Sequence, residues 1–507
     1  MKMKSVASLM GTILTLFGFS FLLPIIVGAY YWYKSGGGYI GLTVESLGVA
    51  LSPYLIPLCI TGIIGIFLHA VSLDADEPTN REAFFTVGVA WFVIALLGAI
   101  PYILSGTLAN PYDAFFESMS GFATCGASVI TDVEILKKSI LMWRAATQWL
   151  GGMGIVALAV AVLSRIVGAG GTYLYKAETA GHDVVKMRPK LRETAAIIWK
   201  IYALLTFLEA AALFLLFFTR HGMRIDDSIF EAVCHSFTTL ATGGFSTRNA
   251  SIAAFKDPFI EIVVMFFMVA GAVNFMLHYK TFKGIGSYFH DTEFRFFITS
   301  ISLAAVFITI NLWTHRIYPN LLDCIRYASF NVFSLHSTTG FASADTAVWP
   351  NASKFVLFIL LFMGGCMGST AGAIKVGRIV LLLKVAYREM KKALNPKAII
   401  PLTLGKSTIP DAVASGICAF FFIYIAIFMA STILILLFGG LEDIFVSASA
   451  VATAMGGVGP GFGSIGSMAN FAHITSAGKV VLIFDMWLGR LEIYAPLMIF
   501  LPSTYRR

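Results

Sequence analysis

The sequence predicts an all-α polytopic membrane protein in which two extra transmembrane helices precede four copies of one unit: crossing helix, short apolar segment with a glycine-rich stretch, crossing helix, arranged around one axis. Three observations lead there. Of the 507 residues, 58% are hydrophobic and only 13% are charged, with a mean hydropathy of +0.81; a soluble domain carries about 25% charged residues. Apolar runs of about 20 residues, the length that crosses a bilayer, recur along the whole chain. Between the later runs, the chain four times inserts a short apolar segment followed by a stretch of small residues.

The runs place ten crossing helices near 11–33, 48–72, 84–105, 140–166, 195–219, 258–280, 295–314, 353–384, 412–438 and 477–501. The first follows MKMK but is too long for a signal-peptide h-region and lacks an A-x-A-like cleavage site, so it reads as a retained helix. Basic residues sort the loops. Arg165, Lys176, Lys186, Arg188, Lys190, Arg192 and Lys200 crowd one segment, and Lys375, Arg378, Lys384, Arg388, Lys391, Lys392, Lys397 and Lys406 another. Lys2 and Lys4 mark one end, Arg506 and Arg507 the other. The positive-inside rule places these loops and both termini in the cytoplasm. The net charge of +8 then follows from loop asymmetry, with no nucleic-acid partner implied. Six scattered cysteines form no C-x-x-C pair, so neither a disulfide framework nor a zinc site is expected.

The short inserted runs are PYDAFFESMSGF, DSIFEAVCHSF, LLDCIRYASFNVFSL and LEDIFVSASAVATAM, too short to span and suited to re-entrant helices. Each leads into small residues: ATCGAS (123–128), ATGGFS (241–246), STTGFAS (337–343) and GGVGPGFG (456–463). With Gly126, Gly243, Gly340 and Gly459 as reference points, the separations are 117, 97 and 119, which describes a repeated unit with variable loops. A single such stretch is equally an ordinary glycine-rich loop. Four of them, each behind a short apolar helix on the same expected side, ask for a common explanation. Non-helical backbone at membrane depth is tolerated only where protein buries it or where it lines a water-filled cavity. Four half-crossing helices would aim their partly negative C-terminal ends at one axis, and glycine lets successive carbonyls face one way. Such a site favours a dehydrated cation and repels an anion, which is the logic of a cation-selectivity filter.

At these residues the chain resembles the Trk/Ktr/HKT superfamily of potassium transporters, in its TrkH-type branch, over essentially the whole of residues 1–507. SMSGFATCGAS, HSFTTLATGGFST, HSTTGFAS and MGGVGPGFG resemble that family's four filter stretches in order. GGCMGSTAGAIKVGR resembles its third-repeat intramembrane gating loop, and LGRLEIY its last-helix arginine motif. The two leading helices fit the TrkH type better than the Ktr type, which lacks them. The resemblance implies two N-terminal helices over 1–80 and four pore repeats over 81–180, 181–290, 291–400 and 401–507. It implies a potassium filter built from Ala123, Thr124, Cys125, Gly126, Ala241, Thr242, Gly243, Gly244, Ser337, Thr338, Thr339, Gly340, Gly457, Val458 and Gly459. Potassium, the bound and transported ion, would rest at Thr124, Cys125, Thr242, Gly243, Thr338, Thr339, Val458 and Gly459. It further implies a homodimer in the inner membrane of a prokaryote and potassium transport by channel or symport. A cytosolic TrkA-type ring would carry any nucleotide, and no cofactor is expected on this chain. Two positions depart from the family pattern: many members have Asn at Gly457 and a hydroxyl residue at Cys125. A Ser at the first filter glycine marks sodium-preferring plant relatives, so Gly126 favours potassium.

The gate implied by the resemblance comprises Gly364, Gly365, Gly368, Ser369, Thr370, Gly372, Lys375 and Arg490. From the residues alone, the glycines weaken a helix by about 1 kcal/mol each relative to Ala, which fits either a movable loop or a close helix contact. Arg490 and Glu492 lie in the last span, where ionisable groups face a cavity or a partner; Arg490 either projects under the filter or forms an ion pair. Lys375 is a pore-side charge or snorkels to the interface. Asn274 offers a packing or a functional hydrogen bond. Asp113 fits a helix cap as well as a cation-attracting mouth with Glu117. His235 and His336 suit hydrogen bonds behind the filter better than metal ligation. The basic segment from Arg388 to Asp411 suits anionic membrane lipid or docking of the cytosolic ring. Two other function classes compete. A coupled secondary transporter of another cation or small solute also uses broken helices and repeats, but places polar contacts at the midplane. An enzyme would need a Ser/His dyad or paired aspartates within the spans, and GSTAG has no base partner. On the filter reading, Gly243→Ser would loosen potassium over sodium selection.

Overall fold

The computed structural model describes residues 1–37, 44–76, 79–158, 187–284, 287–405 and 407–505. Apolar sequence folds here as helix because a helix satisfies its own backbone groups away from water. Helices α1 (Met3–Ser35) and α2 (Val44–Val71) open the chain, followed by α3 (Arg81–Leu104). Four groups then follow, each containing one short buried helix. The first holds α4 (Pro111–Phe122) and α5 (Lys138–Leu158). The second holds α6 (Met187–Thr219), α7 (Ile225–Leu240), α8 (Pro258–Ala272) and α9 (Phe275–Lys283). The third holds α10 (Thr292–Thr314), α11 (Leu321–His336), α12 (Asn351–Leu360) and α13 (Val376–Leu394). A small antiparallel hairpin, β1 (Leu402–Leu404) and β2 (Ser407–Ile409), pairs Leu402 with Ile409 before the last group. That group holds α14 (Asp411–Phe438), α15 (Ile444–Gly456), α16 (Ser476–Arg490) and α17 (Tyr494–Phe500).

Among the described residues, six helices are long and apolar enough to cross a membrane, or seven if α8 and the following α9 segment count as one span bent by 101°. The sequence expectation of ten unbroken crossings is corrected at three places. The run expected at 258–280 breaks at Val273 and Asn274. The run at 353–384 is helical only in α12 and α13, with a loop of small residues between. The run at 477–501 breaks after Arg490, where Glu492 and Ile493 take positive φ of 56° and 61°. Hydropathy reads apolar length and is blind to these breaks, because freed backbone groups find partners within the protein, from the loop at the first break and within the segment itself at the last. The C-terminal end of the 140–166 run, from residue 159, and Arg165, Lys176, Lys186, Lys406, Arg506 and Arg507, lie outside the described residues.

Polarity is distributed as a membrane requires. Large apolar side chains such as Ile63, Phe207, Leu303 and Phe422 face outward. The centre instead collects Glu117, Gln148, His235, Thr242, Thr338 and Arg490, all buried. This centre is framed by α4, α7, α11 and α15, each flanked by its own long helices.

Helices α1 and α2 meet through small residues. A Cβ on Gly65 would fall on the Thr15 hydroxyl, one on Gly11 would lie 2.8 Å from the Gly65 carbonyl oxygen, and one on Gly18 2.9 Å from Thr61 Oγ1. Close backbone approach of this kind is how helices associate where no hydrophobic effect separates them from lipid. Gly65→Leu is therefore expected to cost about 1–3 kcal/mol through overpacking, read as a lower midpoint when the detergent-solubilised protein is heated and its monodisperse fraction followed. An unchanged midpoint would remove this crossing from the account.

Candidate functional site

All four short helices end in the same way. The amide of Cys125 donates to the Ser120 oxygen (2.8 Å), Gly243 to Thr238 (2.9 Å), Thr339 to Ser334 (2.9 Å) and Val458 to Thr453 (3.0 Å). One residue earlier, Thr124, Thr242, Thr338 and Gly457 donate to Gly121, Thr239, Leu335 and Ala454 at 2.8–3.3 Å. These paired bonds form a Schellman motif, which requires a left-handed residue just past the helix. Thr124, Thr242, Thr338 and Gly457 occupy that position with φ of 50°, 51°, 58° and 63°. Three are β-branched, at a strain cost of about 1–3 kcal/mol apiece, which the surroundings must hold in place. Gly457 fills the same slot without strain, and Asn is the other residue that tolerates it. The departure at this position is thus conformationally neutral.

Two residues further on, each strand again turns left-handed, at Gly126, Gly244, Gly340 and Gly459 (φ 85°, 78°, 83° and 106°). A Cβ on Gly126 would fall on the Gly243 carbonyl oxygen, one on Gly244 on that of Thr339, one on Gly340 on that of Val458, and one on Gly459 within 2.7 Å of that of Cys125. First strand touches second, second third, third fourth, and fourth first. The four strands therefore close a ring. All four glycines line one cavity of about 140 Å³, with Ser128, Arg144, Ser246 and Asn249 also in its wall. At its rim Asn249 Nδ2 donates to Asp132 (2.8 Å), and this hydrogen bond holds the Asp132 carboxyl below its ordinary range.

The ring moves the reference glycine of the second stretch by one residue. Gly244, not Gly243, matches Gly126, Gly340 and Gly459, while Gly243 matches Cys125, Thr339 and Val458. The separations become 118, 96 and 119. The adjacent pair Gly243–Gly244 hid this, since either fits the spacing. Gly243 has its own constraint: its carbonyl accepts Gln148 Nε2 (2.6 Å), and a Cβ there would meet the Gln148 side chain.

Each short helix also braces the strand that leaves it. Glu117 accepts from Ser128 Oγ (3.0 Å) and the Val129 amide (2.9 Å). His235 Nε2 meets Ser246 Oγ (3.1 Å), Asn331 Nδ2 donates to Ser343 Oγ (3.3 Å), and Ser449 Oγ accepts from the Phe462 amide (3.0 Å). Arg144 joins the first two strands by pairing with Glu117 (2.9 Å) and donating to the Ser246 oxygen (3.0 Å). Sequence reading missed Arg144, Gln148, Asn331 and Ser449, though their signal was present as polar residues inside apolar helices. It also missed Gly151, Gly271 and Gly489. A Cβ on Gly151 or Gly489 would fall on the carbonyl oxygen of Phe122 or Met455, and one on Gly271 would lie 3.0 Å from that of Leu240, each four residues before a ring glycine.

Beneath the ring runs the loop between α12 and α13. Its ends pair as Gly364 N to Ile374 O (2.8 Å) and Ile374 N to Phe362 O (3.1 Å). Thr370 Oγ1 donates toward the oxygens of Leu240 (2.9 Å) and Gly271 (3.0 Å), and the Gly372 amide donates to Thr338 Oγ1 (2.8 Å). A Cβ on Gly372 would fall on the Gly456 carbonyl oxygen, and one on Gly364 on that of Gly372. Ser369 Oγ closes onto the Cys366 oxygen (2.6 Å). Arg490 clamps the loop from the side: Nη1 donates to the Thr370 oxygen (2.9 Å) and Nη2 to the Gly151 oxygen (2.8 Å). Its partners are carbonyls, and the acid nearby, Glu492, pairs instead with Arg378 (2.5 Å). Lys375 does not snorkel; it is 8% exposed and folds back onto the Ala371 oxygen (2.5 Å).

The remaining sequence candidates find plain roles. Asp113 pairs with Lys479 (2.7 Å), and the cap of α4 is Asn110, which accepts the Tyr112 amide (3.0 Å). His336 Nε2 meets Ser300 Oγ (2.8 Å). Among the described residues, no group of three or more His, Cys, Asp or Glu side chains is placed to hold a metal ion. What the site offers a ligand is backbone oxygen, helix C-termini and threonine hydroxyls.

A family model described as TrkH, cation transport protein, matches residues 58–505. The Trk system potassium uptake protein TrkH of Halomonas elongata is 34% identical over the full length of both chains, and that of Escherichia coli 36% identical, again over both full lengths. The Trk system potassium uptake protein TrkG of Escherichia coli is 31% identical over 98% of this chain and 97% of its own. The crystal structure of the potassium transporter TrkH from Vibrio parahaemolyticus superposes over the whole of both chains with a TM-score of 0.85 at 32% identity.

The left-handed slot gives a direct test. A Cβ at Gly457 would meet nothing closer than 3.6 Å, so only its dihedral is restrictive. Gly457→Asn is expected to leave the thermal midpoint in detergent near that of the parent, whereas Gly457→Val costs about 1–3 kcal/mol and lowers it. Equal midpoints for the two variants would contradict the Schellman assignment.

Proposed function

Because this chain belongs to the TrkH family of cation transport proteins, we propose that it forms the pore of a potassium-uptake system, with the ring of four strands as its filter. The observation that supports this most is the cyclic fit of Gly126, Gly244, Gly340 and Gly459 against the carbonyls of Gly243, Thr339, Val458 and Cys125, at the floor of one open cavity. A ring closed by backbone alone presents oxygen dipoles without a fixed charge, the chemistry that replaces the hydration shell of a monovalent cation. On this reading potassium rests among the backbone oxygens of residues 123–126, 241–244, 337–340 and 457–459. The buried C-termini of α4, α7, α11 and α15 add partial negative charge from the cytoplasmic side. The two leading helices occupy 1–80, and the four pore repeats divide as 81–180, 181–290, 291–400 and 401–507.

The loop of Gly364, Gly365, Gly368, Ser369, Thr370 and Gly372 acts as the gate, and Arg490 both latches it and sets a positive charge under the filter. Lys375 reinforces that charge while folded onto the loop. With its basic loops inside, the chain lies in a prokaryotic inner membrane with both termini cytoplasmic. It pairs as a homodimer and is regulated by a cytosolic TrkA-type nucleotide-binding ring. The names of the relatives, all components of a Trk system, support a multi-component assembly of that kind.

In cells stripped of their own potassium uptake, the protein, supplied with a TrkA-type partner, is expected to restore rubidium uptake that potassium competes for and sodium does not. Absence of any cation uptake from protein shown to be in the membrane with that partner would overturn the proposal. Gly244→Ser replaces a left-handed glycine whose Cβ would fall on the Thr339 oxygen. It is expected to lower the potassium-to-sodium uptake ratio at least about tenfold, a 1.4 kcal/mol change in relative preference. Arg490→Gln keeps a donor but removes the charge. Basal rubidium flux without the partner is expected to rise several-fold, and unchanged flux would separate Arg490 from the gate.

A further inference from the structure

The second group's inner helix breaks where the loop meets it, and the backbone groups released at the break have specific new partners. A continuous helix through this turn would set the amides of Asn274, Phe275 and Met276 on the carbonyls of Ala270, Gly271 and Ala272. Instead, the Ala270 oxygen accepts His278 Nε2 (2.9 Å). The Gly271 oxygen accepts the Thr370 amide (3.2 Å) and hydroxyl (3.0 Å), and the Ala272 oxygen accepts the Cys366 amide (2.8 Å). On the donor side, the Phe275 amide donates to the Gly368 oxygen (3.2 Å) and the Met276 amide to Asn274 Oδ1 (2.8 Å). Three loop residues and two side chains stand in for one turn of helix. Glycine makes the fit close: a Cβ on Gly365 would fall on the Ala272 oxygen, and one on Gly368 would lie 3.1 Å from Asn274 Oδ1.

We infer that this break is the second half of the gate: α8 and α9 stay bent while the loop is seated, rejoin as one helix when it leaves, and Asn274 is the positioning residue that holds the bent form. The functional meaning of the inference rests on the pore reading. Its physical basis is that both arrangements satisfy the carbonyls of Ala270, Gly271 and Ala272 and the amides of Phe275 and Met276, as buried backbone requires. An element with two fully bonded states switches between them rather than deforming gradually. Loop release and straightening then occur together, because either alone would strand the carbonyls of Gly271 and Ala272 in the protein interior. The bend angle reports the gate.

The test uses spin labels attached through ketone-bearing residues at Ile262 and Phe282, both outward-facing (57% and 71% exposed), which leaves the native cysteines untouched. Backbone separation between these sites is about 19 Å across the 101° bend and about 30 Å along a continuous helix, at 1.5 Å per residue. Cys366, buried beside the seat, reports loop release through alkylation mapped by mass spectrometry. In proteoliposomes the parent is expected to show the short distance and a protected Cys366. Gly365→Ala is expected to expose Cys366 and move the main population to the long distance. Asn274→Ala should shift the ratio toward the long form about fivefold through loss of the cap, with Asn274→Asp restoring the short form because Asp caps equally well.

Exposure of Cys366 in Gly365→Ala or Gly372→Ala with the distance unchanged would overturn the inference. So would a Cys366 that stays protected in both variants, since the seat would then not depend on the glycine fit. Rubidium flux on the same vesicles separates the two readings. A distance that switches in a protein passing no cation would remove the pore and keep the two-state helix.

Discussion

One constraint organises this molecule: backbone N–H and C=O groups that leave a helix inside a membrane must each find a partner within the protein. The chain leaves helix at four central sites, beneath them in the loop between α12 and α13, and at the breaks after Ala272 and Arg490. Each departure is met locally. The short helices close on Schellman bonds to Ser120, Thr238, Ser334 and Thr453. The strands lean on Glu117, His235, Asn331 and Ser449. The loop is stitched to α8 and α11, and Arg490 takes up two further carbonyls. Long lipid-facing helices surround this centre because something must exclude lipid from so much irregular backbone.

The same constraint explains where charge is tolerated. Arg144 is buried, but it pairs with Glu117 and donates to a strand carbonyl, so its charge is matched and its donors used. Removing one partner of such a pair is costly, about 3–5 kcal/mol, because the other is left buried and uncompensated. Arg490 differs in kind. Both of its hydrogen bonds go to neutral carbonyls, of Thr370 and Gly151, and the carboxylate of Glu492 is paired with Arg378. One arginine ties two strands together, and the other ties the loop to α5.

Much of this was legible in the residues. The four short helices were marked by their length, and the four strands by runs of small residues with a glycine. What hydropathy could not show was the breaks, since the windows at 258–280 and 477–501 are long and apolar on average, and the first break is written in hydrogen bonds to Cys366, Gly368 and Thr370, about a hundred residues away. The reference glycine in the second stretch was misplaced because two glycines stand side by side, and only their dihedrals separate them. Arg144 and Gln148 were visible as polar residues in an apolar run, but nothing local says that they serve a strand about a hundred residues away. Contacts of that sequence separation belong to the fold, not to the segment.

The left-handed slot at the foot of each strand holds threonine in three quarters and glycine in the fourth. Thr242 and Thr338 turn their hydroxyls to the loop, at Thr370 Oγ1 (3.4 Å) and the Gly372 amide. Gly457 has no side chain to offer, and the loop passes on that side with Gly372 against the Gly456 carbonyl. The packing below the ring is therefore lopsided: one loop crosses from a single wall and is held by two threonines, with no fourfold arrangement of equal contacts. Because the four quarters are encoded separately in one chain, each is free to specialise: the third supplies the loop, the second and third meet it through threonine, and the fourth clears it.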